Sequence, residues 1–286
     1  MTAIRKYTFA DGKTLTLGER TLVMGILNVT PDSFSDGGRW NTRDAMLQHM
    51  EEMVRDGADI IDLGAESSRP GFTPMPAAEE IERLLPFLDA LVAECPVPIS
   101  VDTFKAETAK AAAEHGAHML NDIWGLQYAA EPGAMAKVAA DCGLPIVVMH
   151  NQDGREYTGD IIASMQDFFR RSLALADAAG VKRENIILDP GIGFGKDVAG
   201  NIEVMRRQRE LLAIDGEEYP LLLGTSRKSF IGATLDLPVE ERMEATGATC
   251  VLGIERGAAI VRVHDVKPIA RMVRMTDVIL RSNSNG

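Results

Sequence analysis

Only three cysteines, Cys95, Cys142 and Cys250, occur in the 286 residues. They are too few and too scattered for a disulfide framework. Each lies in a mostly apolar stretch and reads as a buried free thiol. No Cys-x-x-Cys or Cys/His pairing suggests a zinc site. Aromatic residues are scarce, at 5%, so aliphatic and methionine side chains must fill the core. Positive charge is in deficit too: the formal net charge is -12, which argues against nonspecific binding to DNA or to an anionic membrane. Anionic small molecules remain open as ligands, because a local cluster of Arg, Lys and His can reverse the field inside a pocket. There is no apolar run of about 18 residues, so no transmembrane helix is expected. The opening stretch MTAIRKYTFADGK lacks the apolar centre of a secretory leader, and the expected location is cytoplasmic.

What is present is a folding composition, 45% hydrophobic and 25% charged. Lys6 to Phe9 and Thr14 to Leu17 flank an Asp11-Gly12 turn and predict a hairpin. A repeating unit follows, in which a short apolar run leads to a Gly-rich polar loop and an amphipathic helix. The runs are Thr21 to Leu27, Asp59 to Leu63, Pro98 to Val101, His118 to Ile123, Pro145 to Met149, Asn185 to Leu188, Pro220 to Leu223 and Ala258 to Val263. Continuous rather than alternating apolar character is the mark of strands buried on both faces. Helical periodicity fills the gaps, in stripes such as Met46, Met50, Met53, Val54 and Ile81, Leu84, Leu85, Leu88, Val92. It recurs at Phe104 to His115, Gly133 to Cys142, Ile161 to Ala179, Ile202 to Leu212, Glu240 to Glu255 and Val266 to Leu280. Gly57, Gly116, Gly143, Gly180 and Gly257 stand where helices should stop.

Eight such units predict a (β/α)8 barrel with an N-terminal β-hairpin. A doubly wound sheet is the rival, but it normally has fewer strands at this length, and no GxGxxG follows the first strand. The expected organisation is one barrel domain over 1–286, with the hairpin in 1–20 and a flexible tail at 281–286.

In such barrels chemistry sits at the carboxyl ends of the strands. The ends read Asn28, Asp62, Asp102-Thr103, Asn121-Asp122, Met149-His150, Asp189 with the Gly191-Ile192-Gly193-Phe194-Gly195-Lys196 loop, Gly224 to Ser229, and Arg262 with His264. Any one Asp or Asn could equally be a helix cap, and Asp265 and Thr103 look most cap-like. The whole set is harder to explain as packing, since unpaired buried charges are costly. Asp102, Asn121, Asp189 and Lys228 offer two carboxylates, an amide and a cation. That suits the edge of a polar heterocycle better than a metal cage. Arg262 and His264, two apart on one strand, share a face. With Arg69 and Asn28 they form a candidate anion clamp, helped by Mg²⁺. Arg262 could instead be a structural ion pair. Phe34, in the long polar loop Asn28 to Trp40, either packs on the barrel or stacks on a bound ring. The Gly191 to Lys196 stretch lacks Walker spacing and reads as a tight turn bringing backbone close to a ring. His150 has no nucleophile placed with it and reads as a core or loop histidine.

Read together, GILNVTPDSFSDGG, IIDLGAESSRPG, ISVDTFK, LNDIWG, ILDPGIGFGK, GTSRKSFIG and VRVHDV resemble the dihydropteroate synthases, pterin-binding barrel enzymes of folate synthesis. The motifs occur in the family's order and span about Met24 to Val266. The resemblance implies condensation of a 6-hydroxymethyl-7,8-dihydropterin pyrophosphate with p-aminobenzoate, giving 7,8-dihydropteroate and pyrophosphate. It implies a pterin site of Asp102, Asn121, Met149, Asp189, Phe194, Gly224 and Lys228, and a pyrophosphate site of Asn28, Ser68, Arg69, Arg262 and His264. It further implies a p-aminobenzoate pocket of Phe34, Pro70, Lys228 and Ser229, Mg²⁺ held at Asn28, sulfonamide sensitivity, and a homodimer. Asp102, Lys228, Arg262 and His264 would carry catalysis, with Asp102 stabilising a pterin-methyl cation. Two departures stand out: Ser68 replaces a common Thr, and Ile192 sits where an aromatic is common. A pterin-dependent methyltransferase of the same superfamily and a non-catalytic pterin-binding paralogue are the alternatives.

Overall fold

The computed structural model describes residues 4–29, 43–66 and 73–281. Phe34, Ser68, Arg69 and Pro70 lie outside them. The chain opens with the predicted hairpin, β1 (Arg5–Thr8) and β2 (Thr14–Leu17), paired antiparallel. The repeating units then run β3 (Leu22–Asn28), α1 (Arg43–Asp56), β4 (Ile60–Gly64), α2 (Ala77–Glu94), β5 (Ile99–Asp102), α3 (Ala106–Glu114), β6 (Met119–Asp122) and α4 (Ala134–Cys142). They continue with β7 (Ile146–Met149), α5 (Ile161–Ala179), β8 (Ile186–Asp189), α6 (Val198–Arg206), a small pair β9 (Ala213–Ile214) and β10 (Glu217–Glu218), and β11 (Leu221–Leu223). The chain ends with α7 (Ser229–Leu235), α8 (Met243–Glu255), β12 (Ala258–Val263) and α9 (Val266–Arg281). β3 to β8, β11 and β12 close into an eight-stranded parallel barrel, sealed where β12 pairs with β3.

The alternation of side chains along each strand builds the site. Outward residues such as Val23, Ile61, Leu63 and Val101 join Met46, Met50, Leu84, Leu88 and Ile269 beneath the helices. Inward residues at the amino end form a separate apolar plug: Met24, Ile60, Met119, Val147, Ile187, Leu222 and Ile260, with Tyr7, Leu15 and Leu17 of the hairpin packed under them. The hairpin therefore closes the floor of the barrel. Arg5 holds it there, donating to the carbonyls of Arg183 at 3.1 Å and Ile186 at 2.8 Å. Two residues further up, on every one of these strands but β3, the same inward column reads Asp62, Asn121, Met149, Asp189, Gly224 and Arg262. One column thus carries packing at its base and chemistry at its mouth.

The helices differ from the periodicity in instructive places. α6 begins at Val198, earlier than the apolar stripe suggests, because the Asp197 side chain caps it by accepting from Gly200 N at 2.7 Å. It stops at Arg206 and gives way to a 3-10 turn, Gln208–Leu211. The short α7 has too few turns to show a period. β9 and β10 close around Asp215-Gly216, both at positive φ (51° and 84°), a second Asp-Gly hairpin whose strands are too short to alternate visibly. Gly143 and Gly180 end α4 and α5 in the left-handed conformation. Cys95 and Cys250 are buried free thiols and Cys142 is half-buried. Among the described residues no helix is long and apolar enough to cross a membrane.

Candidate active site

The carboxyl ends of the strands enclose a narrow recess. Asp102, Asn121, Met149, Asp189, Phe194, Gly224, Lys228 and Arg262 line it, together with Ile123, Gly191 and Ile192. All the residues singled out for a heterocycle therefore share one cavity. Met149, Phe194 and Ile123 cluster with Phe104 and form an apolar wall for a flat ring.

Arg262 organises one flank. Its guanidinium donates to Asp62 Oδ2 at 2.6 Å and to Asp102 Oδ2 at 2.7 Å. One cation thus serves two carboxylates that the barrel keeps from water. Asn121 Nδ2 donates to the same Asp62 oxygen at 3.1 Å, which leaves Asn121 Oδ1 and Asp62 Oδ1 buried with no hydrogen-bond partner. Orphaned buried acceptors of this kind are uncommon and call for a ligand or water. Burial pushes the Asp102 carboxyl up to about 7, with Arg262 opposing and Asp62 adding to the rise.

The other flank is Asp189 and Lys228. Asp189 Oδ1 accepts from Gly191 N at 2.7 Å. Burial raises its pKa to about 6, while that backbone bond and Lys228 oppose the rise. The Lys228 ammonium lies 4.0 Å from the centre of the Phe194 ring. Burial lowers its pKa to about 8, and the Arg262 charge pushes the same way. The loop between these residues has the tight form expected of it. Gly191, Gly193 and Gly195 all have positive φ (62°, 87° and 55°). A side-chain carbon on Gly191 would fall 1.9 Å from the His150 carbonyl oxygen, and one on Gly193 would fall 2.9 Å from Lys228 Cδ. Glycine lets the Lys228 stem lie directly on the backbone.

Of the described anion-binding candidates, Arg262 lines the recess, whereas Asn28 and His264 stand beside it. Asn28, half-buried at the end of β3, points Oδ1 towards Gly64, which separates it from Asp102 on β5. His264 is exposed on the rim. Desolvation of the imidazole at the mouth, with the neighbouring Arg262 and Arg227 charges, lowers its pKa below the usual imidazole range. Its Nδ1 lies 2.9 Å from Ser226 Oγ. Ser229, the first residue of α7, is exposed and does not line the recess.

The family model for pterin binding enzymes matches residues 24–264. The chain belongs to the pterin-binding enzyme family. The dihydropteroate synthase of Bacillus subtilis is 52% identical over 93% of this chain and 91% of its own. That of Escherichia coli K12 is 40% identical over 97% and 98%. Among solved structures, a Clostridium difficile dihydropteroate synthase in the presence of pteroic acid superposes with a TM-score of 0.87 at 51% identity, covering 93% of this chain and 99% of the other. The Xanthomonas albilineans dihydropteroate synthase with 4-aminobenzoic acid has a TM-score of 0.89 at 36% identity, covering 98% and 100%.

In this pterin-binding barrel several polar residues carry more than their sequence position suggests. Asp62, visible as a strand end, is the second partner of Arg262. Asp265 does not spend its carboxylate on a cap: it pairs with both Nε and Nη2 of Arg227, at 2.9 and 2.6 Å. The Thr103 hydroxyl does bond locally, accepting from Lys105 N at 3.3 Å. Lys105 itself is buried between Glu66, at 2.7 Å, and Glu80, at 2.9 Å. Asp122 turns its carboxylate back onto the Trp124 and Leu126 amides, at 2.8 and 2.7 Å, away from the recess. Alternation is the signal that could have found Asp62, since it stands two residues above the inward Ile60.

Proposed function

We propose that this chain is a dihydropteroate synthase, joining 6-hydroxymethyl-7,8-dihydropterin pyrophosphate to p-aminobenzoate with release of pyrophosphate. The observation that carries the reading is the convergence of Asp102, Asn121, Asp189 and Lys228 on one recess with an unsatisfied buried acceptor, Asn121 Oδ1. A pterin presents ring N–H and amino donors beside carbonyl and ring-nitrogen acceptors. The carboxylates and the Asn121 oxygen accept from the former, and the Lys228 ammonium donates to the latter. Met149 and Phe194 cover the ring faces.

Next to that slot, Arg262 and His264 bring donors to the pyrophosphate, with Ser68 and Arg69 assigned to the same group by family resemblance. The C–O bond of the pterin methylene breaks with its electron pair leaving on pyrophosphate. The Asp102 carboxylate faces the cation left behind, and the nitrogen of p-aminobenzoate forms the new C–N bond and sheds its proton. No covalent enzyme intermediate is required, and among the described residues no obvious nucleophile–base pair is set out for one. The p-aminobenzoate pocket is assigned to Phe34, Pro70, Ser229 and the Lys228 side chain.

Among the described residues no group of three or more His, Cys, Asp or Glu side chains could hold a metal. Asn28 offers one amide oxygen. That donor set fits a Mg²⁺ that keeps waters and takes its other ligands from the pyrophosphate, whose leaving charge it would neutralise when bound. A homodimer and a cytoplasmic location belong to the same reading. Exposed Leu252 on α8 and Met275 and Ile279 on α9 supply apolar surface that a second copy would cover.

The test is pyrophosphate release from the pterin substrate with Mg²⁺ present, with and without p-aminobenzoate. Release that requires the amine supports the synthase. Folded protein that binds pterin but releases nothing would instead be a non-catalytic binder. A sulfonamide should raise the apparent KM for p-aminobenzoate without lowering the maximal rate. A lowered maximal rate at saturating p-aminobenzoate would put the drug elsewhere.

A further inference from the structure

Behind the recess sits a lysine that does not line it. Lys196, only 4% exposed, is the last residue of the Gly191 to Lys196 loop. Its ammonium reaches three acceptors: the Gly191 carbonyl at 3.0 Å, the Phe194 carbonyl at 3.0 Å and His150 Nδ1 at 2.9 Å. An ammonium has three protons, so all are used. His150 is itself buried, with its ring centre 4.8 Å from that of Phe168 and 6.3 Å from that of Tyr157. Burial holds its pKa well below the usual imidazole value, so the ring is neutral. As an ammonium the lysine donates to a bare Nδ1; burial lowers its pKa to about 7, and once it has lost a proton to solvent the amine accepts from the Nδ1–H tautomer of the neutral ring instead. In both arrangements two lysine protons stay on the two carbonyls.

Those carbonyls belong to the residues that shape the pterin side of the site. The Gly191 amide orients the Asp189 carboxylate, and the Phe194 ring lies under the Lys228 ammonium. The Phe194 amide also donates to the Gly191 carbonyl at 3.0 Å, so that oxygen is held from two sides. A loop with three residues at positive φ has little regular hydrogen bonding of its own. A cation buried beneath it is the tie that keeps its carbonyls turned inward.

We propose that Lys196 is a positioning residue for pterin recognition: by holding the Gly191 and Phe194 carbonyls against His150, it fixes the Asp189 carboxylate and the Phe194–Lys228 stack in their binding geometry. It touches neither substrate. This rests on the synthase reading, and the test separates the two. Binding of 6-hydroxymethylpterin to the wild-type protein is measured first, by titration calorimetry. No binding would overturn the pterin reading itself.

Given wild-type binding, Lys196→Met keeps the unbranched stem, one atom shorter, and removes every donor. It should weaken pterin binding by about tenfold or more, the loss of a geometry set by charge-assisted bonds. The KM for p-aminobenzoate, taken at saturating pterin substrate, should stay within twofold. Lys196→Gln keeps two donors on a shorter, planar group and should fall between, at roughly threefold to tenfold. If the Met variant does not fold, the Gln variant decides. A folded variant that binds pterin as the wild type does, or loses both substrates equally, would overturn the proposal.

Discussion

Asp102→Asn should make this protein more stable above neutral pH while stopping its chemistry. In the native structure one guanidinium, Arg262, faces both Asp62 and Asp102, and Asp102 is only 8% exposed. Its pKa rises from an ordinary 3.8 to about 7 because burial outweighs the shared cation. A carboxyl with a raised folded pKa favours the fold fully below pH 3.8 and loses that contribution as pH climbs through 7. Taken whole, that rise would correspond to ~4 kcal/mol at 1.36 kcal/mol per pH unit. Arg262 is shared among coupled groups, so a net effect of ~1–2 kcal/mol at pH 8 is the working figure. The asparagine keeps an oxygen for Arg262 and carries no charge, leaving Arg262 and Asp62 paired one to one. The expected result is a melting temperature at pH 8 higher by about 2–4 °C. Between pH 5 and 8 the variant should also lose less stability than the wild type. Turnover should fall by a factor on the order of 10² or more, since the carboxylate facing the developing cation is gone. Thermal melts in a pH series, alongside pyrophosphate release, read both effects. A variant that melts lower than the wild type at pH 8 would refute the account of Asp102 as a strained anion.

Lys228→Met should retain the fold, because the Lys228 stem already packs on Gly193, and should weaken pterin binding by about 10- to 100-fold; unchanged binding would remove Lys228 from the pterin site. Gly191→Ala forces a carbon against the His150 carbonyl at a φ of 62°, and should cost ~3 kcal/mol or more, seen as a melting point lower by about 6 °C. A normal melt would mean the loop relaxes freely. Burial lowers the pKa of His118 on the barrel floor despite its contact with Asp11. Protons then bind the unfolded chain first as pH drops through about 6.5, and stability is lost below that point. His118→Gln should therefore lose less stability than the wild type between pH 7.5 and 5.5, and parallel pH curves for the two proteins would contradict this.

How much of this could be read before any coordinates follows from how local each signal is. A strand buried on both faces writes itself as a continuous apolar run, so all eight barrel strands were visible to within a residue or two. The glycines that stop helices were equally plain. Polar residues at the ends of those runs stood out because the fold class assigns such ends to one mouth, and that mouth does gather Asp102, Asn121, Asp189, Lys228 and Arg262. Short elements escaped: α7 and the β9–β10 pair are shorter than the period that would reveal them.

What stayed hidden were the partnerships, and they are what sets the chemistry. Asp62 and Arg262 are 200 residues apart and meet only because β12 closes the barrel against β3, which pairs with β4. No pattern within either strand encodes that encounter. Lys196 is the sharper case, because its sequence context is a glycine-rich turn in which a lysine would ordinarily be taken as solvated. The backbone of that turn folds over the side chain, so the same glycines that bring backbone close to a ring also bury the charge. An ionisable side chain beside several positive-φ glycines is therefore ambiguous in sequence. The decisive question is whether enough acceptors converge to replace its water, and here the two carbonyls and His150 supply all three.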